Sequence, residues 1–313
     1  MALTNRTDAS PLIPEEVSNA MLTELNAKSF ALNNFTNLPV SRSQTRFPVL
    51  SALPSAYWVN GDTGQKQTTK LTWDNKYLNI EELATIVPIP EAVIDDSDMP
   101  IWDQAMPLCV NAAARLIDDT IAFGSGAPDS FPDDLVTAAT AAGNDVEVGT
   151  STSDEGLIVG DHSAMLDALE ADGYSTGVGV AHQSLRGLAR QARNANGDRF
   201  AEVSVGPDSV AIDYVNYSFP EIQDLWPVAS GDPVAIAFVP NQFVVGVRQD
   251  ITWKFLDQAV IQGSDGEIMY NLAQQDMVAM RMVMRVGWQV ANPINYTEAT
   301  EADRYPAAIL TRA

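Results

Sequence analysis

The stretch Val278-Ala279-Met280-Arg281-Met282-Val283-Met284-Arg285-Val286-Gly287-Trp288-Gln289-Val290 decides how the chain is read. Every even position from 278 to 290 is apolar, and the odd positions mix Ala279, Arg281, Val283, Arg285, Gly287 and Gln289. A period of two marks a strand with one buried and one half-polar face. A helix stays open on spacing alone, because Arg281, Arg285 and Gln289 also share a helical face and Asp276 could cap it. The β-branched residues, Trp288 and the interior Gly287 favour the strand. Thirteen residues of strand reach roughly 43 Å, well beyond the usual length of about five or six residues. Extended chain on that scale suits a structural subunit that assembles with copies of itself better than an enzyme built round a pocket.

The composition fits a folded chain large enough for one big domain or two modest ones. Of 313 residues, 46% are hydrophobic and 19% charged, and 19 Gly with 18 Pro are too few for a low-complexity chain. One cysteine, Cys109, allows no internal disulfide, and the opening residues lack the basic and apolar regions of a signal peptide. The expected place of folding is therefore the cytoplasm. No stretch reaches the roughly 18 unbroken apolar residues that span a bilayer, so no membrane partner is expected. The formal charge of −23 repels phosphate backbones and disfavours tight, direct nucleic-acid binding. Between Leu116 and Leu185 lie 13 Asp and Glu and no Lys or Arg, a solvated face or, as the sharper reading, a cation-binding segment.

Along the chain, residues 1–11 read as a flexible arm. Pro14, Glu15 and Glu16 then suit a helix first turn, with Val17, Met21, Leu22 and Leu25 as its stripe. From Arg46 to Pro90, Thr, Val, Ile, Tyr and Trp dominate, and turn clusters at 60–64 and 74–76 mark a long β excursion. Its middle, Gln65 to Trp73, is polar on both faces, so it projects into solvent or onto a partner. The segment Pro100 to Phe123 repeats Trp102, Met106, Cys109, Ala113, Leu116 and Thr120 at helical spacing, stops at Gly124, and either starts or kinks at Pro107. Cys109 reads as a small core residue, and Asp95 to Asp98 as the cap of this helix. Beyond it a turn-rich stretch holds expected strands at 145–148 and 155–159, followed by helices at 163–172 and 183–195 and a buried strand at 178–180. Further strands are expected at 201–205, 210–215, 234–239, 243–247 and 251–256. The fold class is α+β.

The search for chemistry returns little. His162 and His182 fall at a helix start and a strand end, where capping or surface roles are expected, and the strong hydrolase, zinc and calcium motifs do not occur. The segment Gly61 to Gln67 has its glycines three apart and no Ser or Thr after Lys66, so it is no phosphate loop, and Gly177-Val178-Gly179 lacks the third glycine of a dinucleotide loop. Adjacent carboxylates such as Asp118-Asp119 do not face each other on a helix and are weak evidence for a site. No catalytic residue, cofactor or metal ligand is expected.

In sum, the segments run as arm, Pro-started helix, projecting hairpin, long helix, α+β lobe and long late strand. In that order they resemble the tailed-bacteriophage major capsid proteins, the Hong Kong-ninety-seven-like capsid fold family. The likeness is carried by Leu12-Ile13-Pro14-Glu15-Glu16-Val17, Ala56-Tyr57-Trp58-Val59, and Ala84-Thr85-Ile86-Val87-Pro88-Ile89-Pro90-Glu91. It continues in Ala113 through Gly124 and in Asp276 through Trp288. The resemblance implies an N-terminal arm and short helix over 1–50, an extended loop over 51–90, and a peripheral domain of spine helix (91–127) and long strands (251–293). It also implies an axial domain over 128–250 to which 294–313 return.

By the same resemblance the hairpin lies over a neighbouring subunit, with Tyr57, Trp58, Lys66, Lys70 and Trp73 as contact residues, and Arg281, Arg285 and Trp288 mark the peripheral strand. Some members cross-link a loop Lys to a late-strand Asn beside a catalytic Glu. Here the acceptor position resembles Asp276 and the Glu position Val283, so no isopeptide link is expected. The partners implied are further copies in hexamers and pentamers, a portal, a decoration protein, enclosed DNA held without specific binding and, since Pro14 comes so early, a separate scaffolding protein. The expected location is the virion capsid, assembled in host cytoplasm. The alternatives are an encapsulin-type compartment and, more remotely, an acidic cytoplasmic hydrolase.

Overall fold

The computed structural model of the chain describes residues 25, 28–59, 65–97, 100–152, 157–194, 196–200, 203–263 and 265–313. The helix expected after Pro14 lies outside the described residues except for Leu25, which is buried. Ser29 caps helix α1 (Phe30–Asn34) by accepting the Leu32 N–H, and strand β1 (Thr36–Pro39) follows. Strands β2 (Gln44–Ala52) and β3 (Thr72–Asn79) form an antiparallel hairpin, with Gln44 opposite Asn79 and Ala52 opposite Thr72. Residues 65–71 join no strand. Gln, Lys and Thr on both faces give that part of the chain no apolar side to fix a register.

After β4 (Glu81–Pro90) and a short helix α2 (Glu91–Asp95), helix α3 runs unbroken from Ile101 to Phe123 with Pro107 inside it. Among the described residues of the acidic run, none occupies the N-cap position of α3. Pro100 stands at its N-cap without a side-chain hydrogen bond, Asp95 ends α2, and Asp96 is the C-cap of α2. Asp98 lies outside the described residues. Gly124, at φ 69°, stops α3 in the left-handed conformation that glycine adopts without strain.

The stretch expected to be turns and strands contains helix α4 (Leu135–Ala142), whose N-cap Asp134 accepts the Thr137 N–H. Strand β5 (Asp145–Glu147) matches its expectation. Ile158 and Val159, expected in a strand, instead form the first turn of α5 (Ile158–Ala171). The buried residues Ile158, His162, Met165, Leu166 and Leu169 make one continuous helical stripe, which outweighs the β-branched pair at its start. Strand β6 (Val178–Ala181) and helix α6 (Ser184–Gln191) come next. Strands β7 (Val203–Val205), β8 (Ser209–Ile212) and β9 (Val215–Ser218) follow, the last two separated by a tight turn with Asp213 at φ 52°. Strand β10 (Pro233–Phe238) is buried along its whole length, and a single turn leads into β11 (Phe243–Leu256), one 14-residue strand where two were expected. Its register shifts between Val247 and Thr252, where the two expected strands were separated. The hairpin β12 (Val260–Gln262) and β13 (Ile268–Asn271) precedes β14 (Met277–Val290) and β15 (Ala307–Thr311).

Two larger sheets organise these elements. One has the order β1-β11-β14-β4 and the other β5-β15-β10-β6-β9-β8-β7. The strand that opened the reading lies inside the first sheet, between β11 and β4, pairing with β11 from Ala279 to Val290 and with β4 from Met277 to Val286. Its even-numbered side chains Met280, Met282, Met284, Val286, Trp288 and Val290 pack into one core with Cys109, Val110, Ala113, Ile117 and Ile121 of α3. Burying each such chain contributes about 1.5–3 kcal/mol, so this contact alone fixes α3 across the sheet. The same core takes in Ile236, Phe238 and Ile309 of the seven-stranded sheet, which has a second core of its own around Met165, Leu185, Ile212 and Tyr217.

Candidate functional site

The β2–β3 hairpin stands away from both cores and is held at its base. Leu78 and Ile80 pack with Val40 in a small cluster. Where the chain turns from β3 into β4 it crosses two facing glycines, Gly246 of β11 and Gly287 of β14. A Cβ at Gly287 would run into the Asn79 carbonyl, and one at Gly246 would lie 2.5 Å from Leu78. Glycine inside these strands therefore permits a close backbone approach. Further ties reach the hairpin from β14 and the segment after it. Gln289 Nε2 donates to the Tyr77 carbonyl at 2.9 Å, the Ile294 N–H to the Leu50 carbonyl at 3.1 Å, and Lys76 pairs with Glu301.

Beyond that base the hairpin offers apolar and basic groups to water. Tyr57, Trp58, Val59, Leu71, Trp73 and Tyr77 are all exposed, Trp58 completely so. Lys66 and Lys70 are exposed and make no ion pair among the described residues. The Tyr57 hydroxyl donates to the Gln67 carbonyl at 2.9 Å and ties the two sides of the tip together. Large apolar groups gathered on one projection mark an interaction surface.

The late-strand residues separate into different roles. Arg285 reaches across to Glu82 of β4, its Nε and Nη2 lying 2.9 and 2.7 Å from one carboxylate oxygen. Arg281 is half-buried beside Ile86 and Lys254 in register, and Trp288 is buried in the core. Asp276, at φ 48°, ends the preceding turn and its carbonyl accepts the Glu91 N–H at 2.9 Å. Val283 sits in mid-sheet between Thr252 and Ala84.

Asp118 is a site that the sequence does not announce. It projects from α3 and accepts hydrogen bonds from the Ser29 hydroxyl at 2.6 Å and the Phe30 and Ala31 N–H groups at 3.0 and 3.2 Å. One carboxyl thus anchors the start of α1 to the long helix. Burial pushes its pKa up to about 7, against the three hydrogen bonds that pull it down, with the Glu221 charge adding to the rise. His162 departs from the surface role expected of it. It is fully buried on α5, with Nε2 2.9 Å from the Tyr217 hydroxyl and Nδ1 3.3 Å from Asp213, because its position belongs to the apolar stripe. His182 keeps a capping role, its Nδ1 accepting the Ser184 N–H at 3.1 Å. Among the described residues no three His, Cys, Asp or Glu are gathered to hold a metal ion, and no helix is long and apolar enough to cross a membrane. The described acids of the 116–185 run are spread instead over α3, α5, β5, caps and turns. Asp134 caps α4, Asp161 accepts the Gly149 and Ser151 N–H groups, and Asp172 accepts from Asn144 and the Tyr305 N–H.

The model of the phage capsid family matches residues 9–295. The chain belongs to the phage capsid family. It is 23% identical over 306 residues to the major capsid protein of Staphylococcus phage 80alpha, a match that covers 94% of this chain and 84% of that one. A solved chain of Microbacterium phage Oxtober96 superposes with a TM-score of 0.79 at 31% identity, covering 91% of each chain. One from Mycobacterium phage Adephagia does so with 0.77 at 29% identity, covering 100% of this chain and 99% of that one. The capsid of a native GTA particle, at 16% identity and a TM-score of 0.61 over 90% of this chain and 89% of that one, shares the fold. The α+β capsid fold expected from the order of the segments is thus the fold of this chain, and its work is that of a structural capsid protein in a shell of many subunits.

Proposed function

We propose that the chain is the major capsid protein of a tailed phage. Its copies gather as hexamers and pentamers and close an icosahedral shell around double-stranded DNA, without catalysis. The observation that carries this reading is the hairpin, fixed at Gly246 and Gly287 and tied by Gln289, yet presenting a fully exposed Trp58 with Tyr57, Trp73, Lys66 and Lys70. An isolated subunit gains nothing from holding those groups in water, whereas a neighbouring copy would bury them. In this reading the four-stranded sheet with α3 is the peripheral domain that carries Arg281, Arg285 and Trp288. The seven-stranded sheet is the axial domain, and 294–313 return to it. A net charge of −23 suits a wall along which DNA slides without sticking.

The absence of covalent links belongs to the same proposal. Lys66 and Lys70 would find Asp276 where an acceptor Asn is needed and Val283 where a carboxylate is needed. A ladder of oligomers on a denaturing gel of purified particles would overturn it. A separate scaffolding protein, a portal and a decoration protein are the partners this reading calls for, and the host cytoplasm the place of assembly. The test is sedimentation and electron microscopy of the full chain, expressed alone and together with its genomic neighbours. Closed particles or capsomers are expected. A small, discrete oligomer under both conditions would refute the shell, and particles packed with an enzyme in place of DNA would point to an encapsulin-type compartment.

A further inference from the structure

The seven-stranded sheet carries charge of opposite sign at its two ends. At one end β7 is bonded, among the described residues, to β8 alone. Beside it lies a pocket of about 210 Å³ whose lining includes Arg190, Arg193, Arg199, Phe200 and Val203. Residues 186–199 hold four arginines and a single carboxylate, Asp198, in a chain whose net charge is −23. Arg186 is engaged locally, stacked 4.6 Å from the Phe219 ring centre and bonded to the Pro207 carbonyl. Arg193 donates through Nη1 to the carbonyls of Arg190 and Ala192. The exposed side chains of Arg190 and Arg199 have no hydrogen-bond or ion-pair partner among the described residues.

At the other end β5 is bonded, among the described residues, to β15 alone and exposes Asp145 and Glu147. Neither carboxylate forms an ion pair among the described residues, and both lie within the 116–185 run that has no Lys or Arg. Seven strands give six spacings of about 4.8 Å, so the two ends stand about 29 Å apart and cannot meet within one copy.

We propose that the β7 end of one copy docks against the β5 end of another copy of this chain, the Arg190, Arg193 and Arg199 pocket receiving the carboxylates of Asp145 and Glu147. The contact is head-to-tail, and such contacts close into rings when the rotation between neighbours allows. Charge complementarity then sets which edges meet and in what orientation. The inference rests on the shell reading and deepens it by naming one seam of the capsomer. Phosphates could also meet these arginines, but a polyanion would be repelled by the rest of the chain and would leave the β5 carboxylates without a use.

The test uses the full chain under the conditions in which the wild type assembles. Three variants are compared: Arg193→Glu with Arg199→Glu, Asp145→Lys with Glu147→Lys, and all four together. Each double variant is expected to lower the particle yield about tenfold or more with circular dichroism and melting unchanged, and the fourfold variant to recover most of it, because the swapped charges complement each other again. Arg190→Ala with Arg199→Ala removes only exposed side chains and serves should a reversal misfold. It is expected to make assembly fail at lower salt than the wild type. Wild-type assembly by either double variant, or a fourfold variant no better than the doubles, overturns the proposal. So does an arginine variant that assembles normally but loses nuclease-protected nucleic acid. A wild type that forms neither capsomers nor particles removes the shell reading and this seam with it, whereas failure of the variants alone removes only the seam.

Discussion

Replacing Asp118 with Ala tests the attachment of α1 to the long helix. The substitution leaves three buried donors, the Ser29 hydroxyl and the Phe30 and Ala31 N–H groups, without their acceptor. Orphaning a buried donor costs about 1–3 kcal/mol, so the loss is about 3 kcal/mol or more when the wild-type carboxyl is neutral. The wild type itself responds to pH. Its carboxyl has a pKa raised from 3.8 to about 7 in the fold, so the proton is held more tightly folded than open. The stability this contributes is fully present below 3.8 and is lost as pH rises through about 7. At 1.36 kcal/mol per pH unit the total is about 4 kcal/mol. The Ala variant lacks this dependence, so its deficit should be largest at and below about pH 4 and shrink toward zero by pH 8 to 9. Hydrogen exchange of the peptide spanning Ser29 to Phe35 in the unassembled subunit, corrected for intrinsic rates, reads the local opening directly. A deficit that widens with rising pH would mean that the ionised carboxylate is the stabilising form, and the reasoning from burial would fail.

Three further outcomes follow from the structure. Trp58→Ser should leave the melting of the isolated subunit within about 0.5 kcal/mol of the wild type, since Trp58 is fully exposed, and should lower the yield of closed particles. Equal particle yield would remove Trp58 from the assembly surface. Gly287→Ala drives a Cβ into the Asn79 carbonyl and should destabilise the subunit by about 1–3 kcal/mol in urea unfolding, with an unchanged midpoint as the refuting result. Burial depresses the pKa of His162 below 6.5, only partly offset by Asp213. The stability from keeping it neutral is present above 6.5 and is lost as pH falls through the folded value. Protection of Val215 to Ser218 should therefore decline in acid, and His162→Gln should abolish the decline. Persistence of the decline in that variant would assign it to another group.

What could be read from the sequence followed from how local each signal was. Strand β14 was legible because its whole pattern is written in consecutive residues, and α3 because its stripe runs for several turns to a glycine stop. Helix α4 was not, since Val-Thr-Ala-Ala-Thr-Ala-Ala has no apolar rhythm and its marks are confined to the Asp134 cap and the Gly143 stop. Ile158-Val159 misled because two β-branched residues outweigh helical spacing in a short window, whereas the full stripe to Leu169 does not. The hairpin's exposure could be argued from its polarity, but the glycine crossing that fixes it joins positions far apart in the chain. Asp118 was invisible for the same reason, its partner Ser29 lying 89 residues away. The charge at the two ends of the large sheet needed the strand order, because only tertiary structure puts β5 and β7 at opposite edges.

The facing glycines also have a mechanical consequence. With the Asn79 carbonyl seated against Gly287, the hairpin cannot slide along the sheet, and a swing about that seat has to release the Ile294 bond to Leu50, which lies opposite Trp73 near the far end. From Asn79 to Thr72 the strand forms a lever of about 24 Å, so a tilt of about 10° carries its far end through about 4 Å. A small change of angle between neighbouring subunits is then delivered to the tip as a displacement the size of a side chain. A flat or a curved patch of shell could be accommodated by turning one pivot, with the two cores left undisturbed.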